Sequence, residues 1–112
     1  MINVTVFVDS EHHYHGIELL GHAGYADAHQ EGQELVCSAV SALALNMVNS
    51  VEHFTEDTFT ADQDEETGML RFCFTGKISP EAALLMSSLV FGLQDIEEAY
   101  GEPYIKFRFK EV

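Results

Sequence analysis

LGHAGYADAHQEGQELVCSAVS, residues Leu20 to Ser41, sets a histidine after a strand-like run and a cysteine at the start of a helix-like run, with a glycine-bearing loop between them. The helix decides what the rest of the chain must cover. From Leu35 onward, Val36, Val40, Leu43, Met47, Val51 and Phe54 recur at steps of four, three, four, four and three. That spacing is one face of a helix from about Glu34 to Phe54. Cys37 then falls in the first turn, where unpaired N–H groups and the positive end of the helix dipole favour a thiolate. An imidazole beside it could take the thiol proton and make Cys37 a nucleophile. His22 is the candidate, and only a fold can bring the two together. The competing reading makes Cys37 a small core residue, the commoner fate of a free cysteine.

Ser41 lies four residues after Cys37 and shares its helix face. It could hydrogen-bond toward the site, or be a solvated serine. Glu34, three residues before Cys37, could orient the imidazole, or simply be an acid favouring the helix N-terminus. A carboxylate near a thiolate raises the thiol pKa unless an imidazolium lies between them. Gly21 would let a peptide backbone come close to His22. Residues 24 to 33 show no periodicity and contain Gly24, Asp27, His29 and Gly32. Such a loop can fold over an extended substrate and exclude water, or be a plain connection.

Gly21-His22-Ala23, the loop, and Glu34-Leu35-Val36-Cys37-Ser38-Ala39-Val40-Ser41 closely resemble the ribosomal-processing cysteine protease (Prp) family, whose pattern reads Gly-His-Ala, a loop, then Gly-x-Asp-Ile-Val-Cys-x-x-x-Ser. Length and element order match from end to end. The triplet alone is unspecific; joined to the Val-Cys helix start it is quite specific. The resemblance implies His22 as general base, Cys37 as nucleophile and Ser41 as the family's helix serine. Glu34 stands where the family usually has aspartate, which moves the carboxylate out by one methylene. It further implies a substrate site at Gly21, Gly24 and Gly32, a loop displaced or ordered for substrate access, and a homodimer. The implied activity is that of a bacterial endopeptidase. It would remove the N-terminal extension of large-subunit ribosomal protein twenty-seven, cleaving after an aromatic residue, with no cofactor or metal.

The chain has 112 residues, enough for one modest core, and reads as one domain over 1–112. Hydrophobic residues make up 46%, which favours a globular fold over disorder. Met1 to Ser10 has no basic region followed by an apolar core, so no signal peptide is expected. The longest strongly apolar run, Ala82 to Leu93, is broken by Ser87 and Ser88 and is too short to span a membrane. Two cysteines, Cys37 and Cys73, give no disulfide framework, which fits a reducing cytoplasm. The formal net charge is −14, from 19 acidic and 5 basic residues, and no Lys or Arg precedes Arg71. Such a surface repels nucleic acid and anionic membranes and attracts a basic partner such as a ribosomal protein. The plainer reading is that acidity only keeps the protein soluble.

Along the chain, Ile2, Val4, Val6 and Val8 alternate with Asn3, Thr5, Phe7 and Asp9 as a half-buried strand. Asp9 to Gly16 is turn-like; its His12, His13 and His15 invite a metal reading, but lack obvious partners and read as a solvated loop. Ile17 to Ala23 is the expected second strand. Thr55 to Asp57 ends the first helix, Thr58 to Ala61 is a short strand, and Asp62 to Gly68 is an acidic turn too short for a calcium loop. Leu70, Phe72 and Phe74 mark a further strand in which Cys73 is packing. Ser79-Pro80-Glu81 starts a second helix with an apolar face of Ala82, Met86, Leu89, Leu93, Ile96 and Tyr100, widened by Leu85 and Val90. Gly101 and Pro103 stop it. Ile105, Phe107 and Phe109 alternate with Lys106, Arg108 and Lys110 in the last strand, whose basic stripe either faces solvent or pairs with acids on a neighbouring strand.

The expected fold is α+β: a mostly antiparallel five-stranded sheet with two helices packed on one face, in the order ββαββαβ. Two other function classes fit the same scaffold. One is a non-enzymatic ribosome-assembly or adaptor protein with Cys37 in its core. The other is a thiol redox protein, weakened because Cys37 has no CxxC partner.

Overall fold

Ile2, Val4 and Val6 point one way from their strand and must be covered; the sheet and helices that cover them are seen in a computed structural model that describes residues 1–21 and 33–112. The elements are β1 (Ile2–Val8), β2 (Tyr14–Leu20), α1 (Gln33–Phe54), β3 (Phe59–Asp64), β4 (Met69–Phe74), α2 (Pro80–Tyr100) and β5 (Ile105–Glu111). The strands lie in the order β3-β4-β2-β1-β5. Every pairing is antiparallel except β1 with β5. The fold is therefore α+β in the expected order, with both helices on one face.

Two cross-strand rows make that covered face. Leu70, Leu19, Val4 and Phe107 form one, and Ala61, Phe72, Ile17, Val6 and Phe109 the other. Val6, Ile17 and Phe72 are fully buried. The Phe72 ring lies 4.9 Å from both the Phe59 and the Phe74 ring centres. From α1 the buried stripe is Val36, Val40, Ala44, Met47 and Val51. Leu43 and Phe54 do not belong to it, at 37% and 72% exposed. Ala44 takes the place expected for Leu43, whose side chain lies instead beside Gly92 of α2, 3.1 Å from where a Cβ there would stand. From α2, Ala82, Met86, Leu89, Val90 and Leu93 are buried, while Tyr100, its last residue, is 45% exposed. By length and composition alone α1, over Glu34–Phe54, could cross a membrane. Its buried stripe, however, is spent on the sheet, as in a core helix.

Both ends of β2 and the far end of β3 differ from expectation. β2 begins at Tyr14 rather than Ile17 and ends at Leu20, with Gly21 already beyond it, while Ala23 lies outside the described residues. Asp9 makes the early start possible. Its Oδ1 accepts the Glu11 and His13 N–H groups at 2.8 and 3.0 Å, closing a tight turn in which His12 has φ 66°. The His13 N–H, then the His15 ring, hold the Asp9 carboxyl well below the usual carboxylate range. His15 Nε2 sits 2.9 Å from Asp9 Oδ2. His12 and His13 thus belong to a hairpin turn, and His15 is the second residue of β2. β3 runs to Asp64, three residues past Ala61, because Asp62, Gln63 and Asp64 continue the ladder opposite Arg71, Leu70 and Met69. All but Phe59 in this edge strand are exposed, so no apolar period marks its length.

On the uncovered face the basic stripe of β5 faces Asn3, Thr5 and Phe7 of β1, not acids. Arg108 Nε donates to Thr5 Oγ1 at 3.0 Å. Arg71 lies 3.6 Å from Glu18 and stacks over the Phe7 ring at 5.3 Å.

The ends of α1 and α2 are joined by side chains. Thr55 Oγ1 donates to the Val51 carbonyl at 2.7 Å and closes α1 without a glycine. Asp57 Oδ2 accepts the Ser79 N–H at 2.7 Å, and Ser79 Oγ caps α2 by accepting from Ala82 N at 3.1 Å. The Ser79 N–H holds the Asp57 carboxyl below its ordinary value, with burial opposing. A lowered folded pKa contributes stability that is present above the unfolded value near ~3.9 and lost as pH falls through the folded one. Asp57→Ala should therefore lower Tm at neutral pH, and the gap to the parent protein should narrow below about pH 4. Thermal melts by circular dichroism across that range check it; a gap that is constant with pH counts against the carboxylate's role.

Candidate active site

Cys37 is held by the packing of its helix. Val36 and Val40 on either side of it are buried against the sheet, so the Cys37 position cannot turn without lifting the whole stripe. Because α1 begins at Gln33, Cys37 is its fifth residue and opens the second turn, one step later than expected. The unpaired N–H groups of the helix start belong to residues 33 to 36. Side chains on a helix lean toward its N-terminus, which carries the thiol back over that turn. Cys37 is half-buried, touches the core, and lines a cavity of ≈ 170 Å³.

One wall of the cavity is α1: Cys37, Ser41 and Leu45, each one turn beyond the last. The other is the sheet end: Gln63, Asp64 and Glu65 from the close of β3, and Gly68, Met69 and Leu70 from the start of β4. Ile2, Leu19 and Gly21 form its floor. Ser41 thus shares the cavity with Cys37. Glu34 is exposed on the first turn of α1. A larger hollow of ≈ 620 Å³ lies at the Asp9–His15 turn beside Lys77 and Ser79, and no cysteine lines it.

Gly21 has a different reason to be glycine from the one its sequence suggests. Its φ is +96°, and a Cβ there would stand 2.6 Å from the Met1 carbonyl oxygen. The backbone that comes close is the chain's own. The Gly21 N–H donates to the Thr67 carbonyl at 3.2 Å, which ties the end of β2 to the β3–β4 turn. His22, Gly24 and Gly32 lie outside the described residues, as do Asp27 and His29.

Cys73 is also half-buried, but it faces Gly16 across the β2–β4 ladder. A Cβ on Gly16 would meet the Phe72 carbonyl and stand 3.0 Å from Cys73 Sγ, so this thiol fills the gap beside a strand glycine. No group of three or more His, Cys, Asp or Glu that could hold a metal occurs among the described residues. The sequence reading missed Leu45 and the β3–β4 wall. Leu45 was legible as the next residue in the Cys37–Ser41 spacing; nothing local links Gln63 or Glu65 to Cys37.

Comparison with known proteins gives these features a context. The sequence model of the family described as cysteine protease Prp matches residues 1–106. The ribosomal processing cysteine protease Prp of Bacillus subtilis is 31% identical over 104 residues, covering 89% of this chain and 90% of that protein. The protein of the same name from Staphylococcus aureus (strain Mu50) is 28% identical over 102 residues, 91% of this chain and 93% of that one. The crystal structure of the S. aureus protease with a covalently linked product peptide aligns with a TM-score of 0.85 at 28% identity, over 98% of this chain and 100% of that one. Its complex with a substrate peptide aligns with a TM-score of 0.87 at 27% identity, over 98% and 100%.

Cys37 opens onto a cavity and Cys73 packs within a ladder, so the two thiols should react differently. Iodoacetamide at neutral pH should alkylate Cys37 several-fold faster than Cys73 in the folded protein. Peptide mapping by mass spectrometry gives both rates. Equal, slow labelling would mean that both thiols are structural.

Proposed function

The chain belongs to the cysteine protease Prp family, and from that premise we propose that it removes the N-terminal extension of large-subunit ribosomal protein twenty-seven, using Cys37 as nucleophile and His22 as general acid and base. That it is a cysteine protease follows from the family; the substrate and the residue roles are our reading. The observation that carries it is the position of Cys37, beside the start of α1 and lining the cavity, in a chain matched by a protease family over residues 1–106.

The reaction runs as an acyl transfer. His22 takes the thiol proton, and the Cys37 thiolate adds to the scissile carbonyl. N–H groups at the start of α1 are suited to hold the oxyanion that forms. Collapse of the tetrahedral adduct breaks the C–N bond; His22 returns the proton to the leaving amine, and a thioester remains. Water, deprotonated by His22, then adds to the thioester carbonyl. The new acid leaves and the thiol is restored. Glu34 is suited to orient the imidazole, provided the imidazolium stands between it and the sulfur. Ser41 lines the same cavity and supplies a hydroxyl within it. Gly21, Gly24 and Gly32 would border the substrate. The covalently linked product peptide in the S. aureus relative supports a covalent step, and its substrate-peptide complex supports a peptide ligand.

We place the enzyme in the cytoplasm as a homodimer, where its substrate is made. Leu84 and Phe91, seven residues apart on α2 and 71% and 68% exposed, offer apolar area for such a contact. The formal charge of −14 suits a basic ribosomal protein as substrate.

Cys37→Ala and His22→Ala should each abolish processing, by at least about a thousand-fold, because paired catalytic groups fail together. Both variants should keep the far-ultraviolet dichroism of the parent protein. Product mass after incubation with the extended ribosomal protein is the readout, and full activity in either folded variant would sink the dyad. Salt should also separate steering from chemistry. The kcat/KM on the intact basic protein should fall as ionic strength rises, with kcat little changed, because screening shortens the reach of the acidic field. A short neutral peptide with the same cleavage site should respond less. Equal salt profiles for the two substrates would remove steering and leave the protease reading intact.

A further inference from the structure

We infer that the β3–β4 turn is a specificity wall of the Cys37 cleft, and that Glu65, with Asp64 beside it, receives a lysine or arginine side chain of the substrate a few residues from the scissile bond. This rests on the protease reading above. The cleft has a direction, because Cys37, Ser41 and Leu45 line it at successive turns of α1. Eight residues of helix rise ~12 Å. An extended peptide advances ~3.3 Å per residue, so about three or four of its residues cover the distance from Cys37 to Leu45. The wall opposite this run is Gln63, Asp64 and Glu65.

The lining is of two kinds, and together they fit one class of side chain. Leu45, Met69 and Leu70 are apolar, while Asp64 and Glu65 bring carboxylates to the same cavity. Lysine and arginine combine an apolar stem with a cationic head and lay the stem on apolar surface while the head stays in a polar rim. A purely apolar side chain would leave the carboxylates unused, and an acidic one would be repelled. The turn is also held in place. Asp64 Oδ1 accepts the Glu66 N–H at 3.0 Å, and the Thr67 carbonyl takes the Gly21 N–H at 3.2 Å. Asp64 therefore spends one oxygen on the turn. Among the described residues no ion pair engages Asp64 or Glu65. The five Lys and Arg residues of the chain are Arg71, Lys77, Lys106, Arg108 and Lys110, and none of them lines the cavity. No lysine or arginine of this chain supplies positive charge to the wall, and a cationic side chain of the ligand would.

The test uses short peptides that share one scissile sequence. A single lysine is moved through the second to fourth positions on either side of the bond, each peptide paired with its glutamine counterpart. At one position, on one side only, lysine should raise kcat/KM over glutamine by roughly two- to five-fold, chiefly through KM, the size expected of an exposed ion pair. Glu65→Gln should bring that ratio toward one. Glu65→Lys should invert it, so that the glutamine peptide becomes the better substrate. Asp64→Asn, which keeps an oxygen for the turn, should reduce the ratio less. A lysine-to-glutamine ratio that is the same in the parent protein and both Glu65 variants at every position would overturn this assignment while leaving the protease reading standing. If the parent protein cleaves none of the peptides, nor the extended ribosomal protein, the protease reading itself fails, and this inference with it.

Discussion

The burial of one stripe of α1 on the sheet is the constraint on which the rest of this molecule depends. Val36, Val40, Ala44, Met47 and Val51 all face the rows built by Val4, Val6, Ile17 and Phe72. Each large aliphatic side chain so buried contributes about 1.5–3 kcal/mol, so rotating the helix by a residue would forfeit several of these contacts at once. With the rotation fixed, the neighbouring stripe of Cys37, Ser41 and Leu45 has one place to go. It faces the end of the sheet where β2 stops and β4 starts. The position of Cys37 thus follows from the core packing of its neighbours on the helix.

The sheet end is made rigid by means unlike those of the core. Its strands close with a backbone bond from Gly21 to Thr67, an aspartate-capped turn at Asp64, and a glycine packed onto the first carbonyl of the chain. These are short-range, directional contacts, and they lie within the wall of the cavity. A site on such a turn is held by hydrogen bonds rather than by volume, so its side chains stay exposed and can vary in charge without loss of core packing. That division suits the proposed reading, in which the helix would supply the chemistry and the hairpin the choice of substrate.

The opposite end of the sheet shows how far side chains can mislead when read without their backbone. Three histidines in four residues invite a metal reading, which their lack of partners already sets below a solvated turn. In the structure the organising group is Asp9, whose carboxylate accepts two backbone N–H groups and meets the His13 and His15 rings. The acidic run DQDEETG behaves alike: its first half is edge strand and its second half a turn. Each run was read by residue type, whereas ladder hydrogen bonds are made by the backbone, which every residue carries.

What the sequence by itself determined is the set of elements whose burial is one-sided. The strands of Ile2–Val8, Met69–Phe74 and Ile105–Glu111, both helices and the Ser79 cap were all legible, because burying one face imposes a period on the residues that form it. The Cys37–Ser41 spacing was legible for the same reason, and so was the family to which the chain belongs. Other features came only from the tertiary structure. The start of β2 at Tyr14, the extension of β3 to Asp64, the role of Ala44 in place of Leu43 and the reason Gly21 is glycine all depend on what lies across a ladder or under a helix. The second wall of the cleft belongs with them. Gln63 and Glu65 stand more than twenty residues from Cys37 in the chain, and no local period joins them to it. Only the pairing of β3 with β4, and of β4 with β2, carries them to the cysteine, because strand order is settled by which faces can be buried together and not by nearness in sequence.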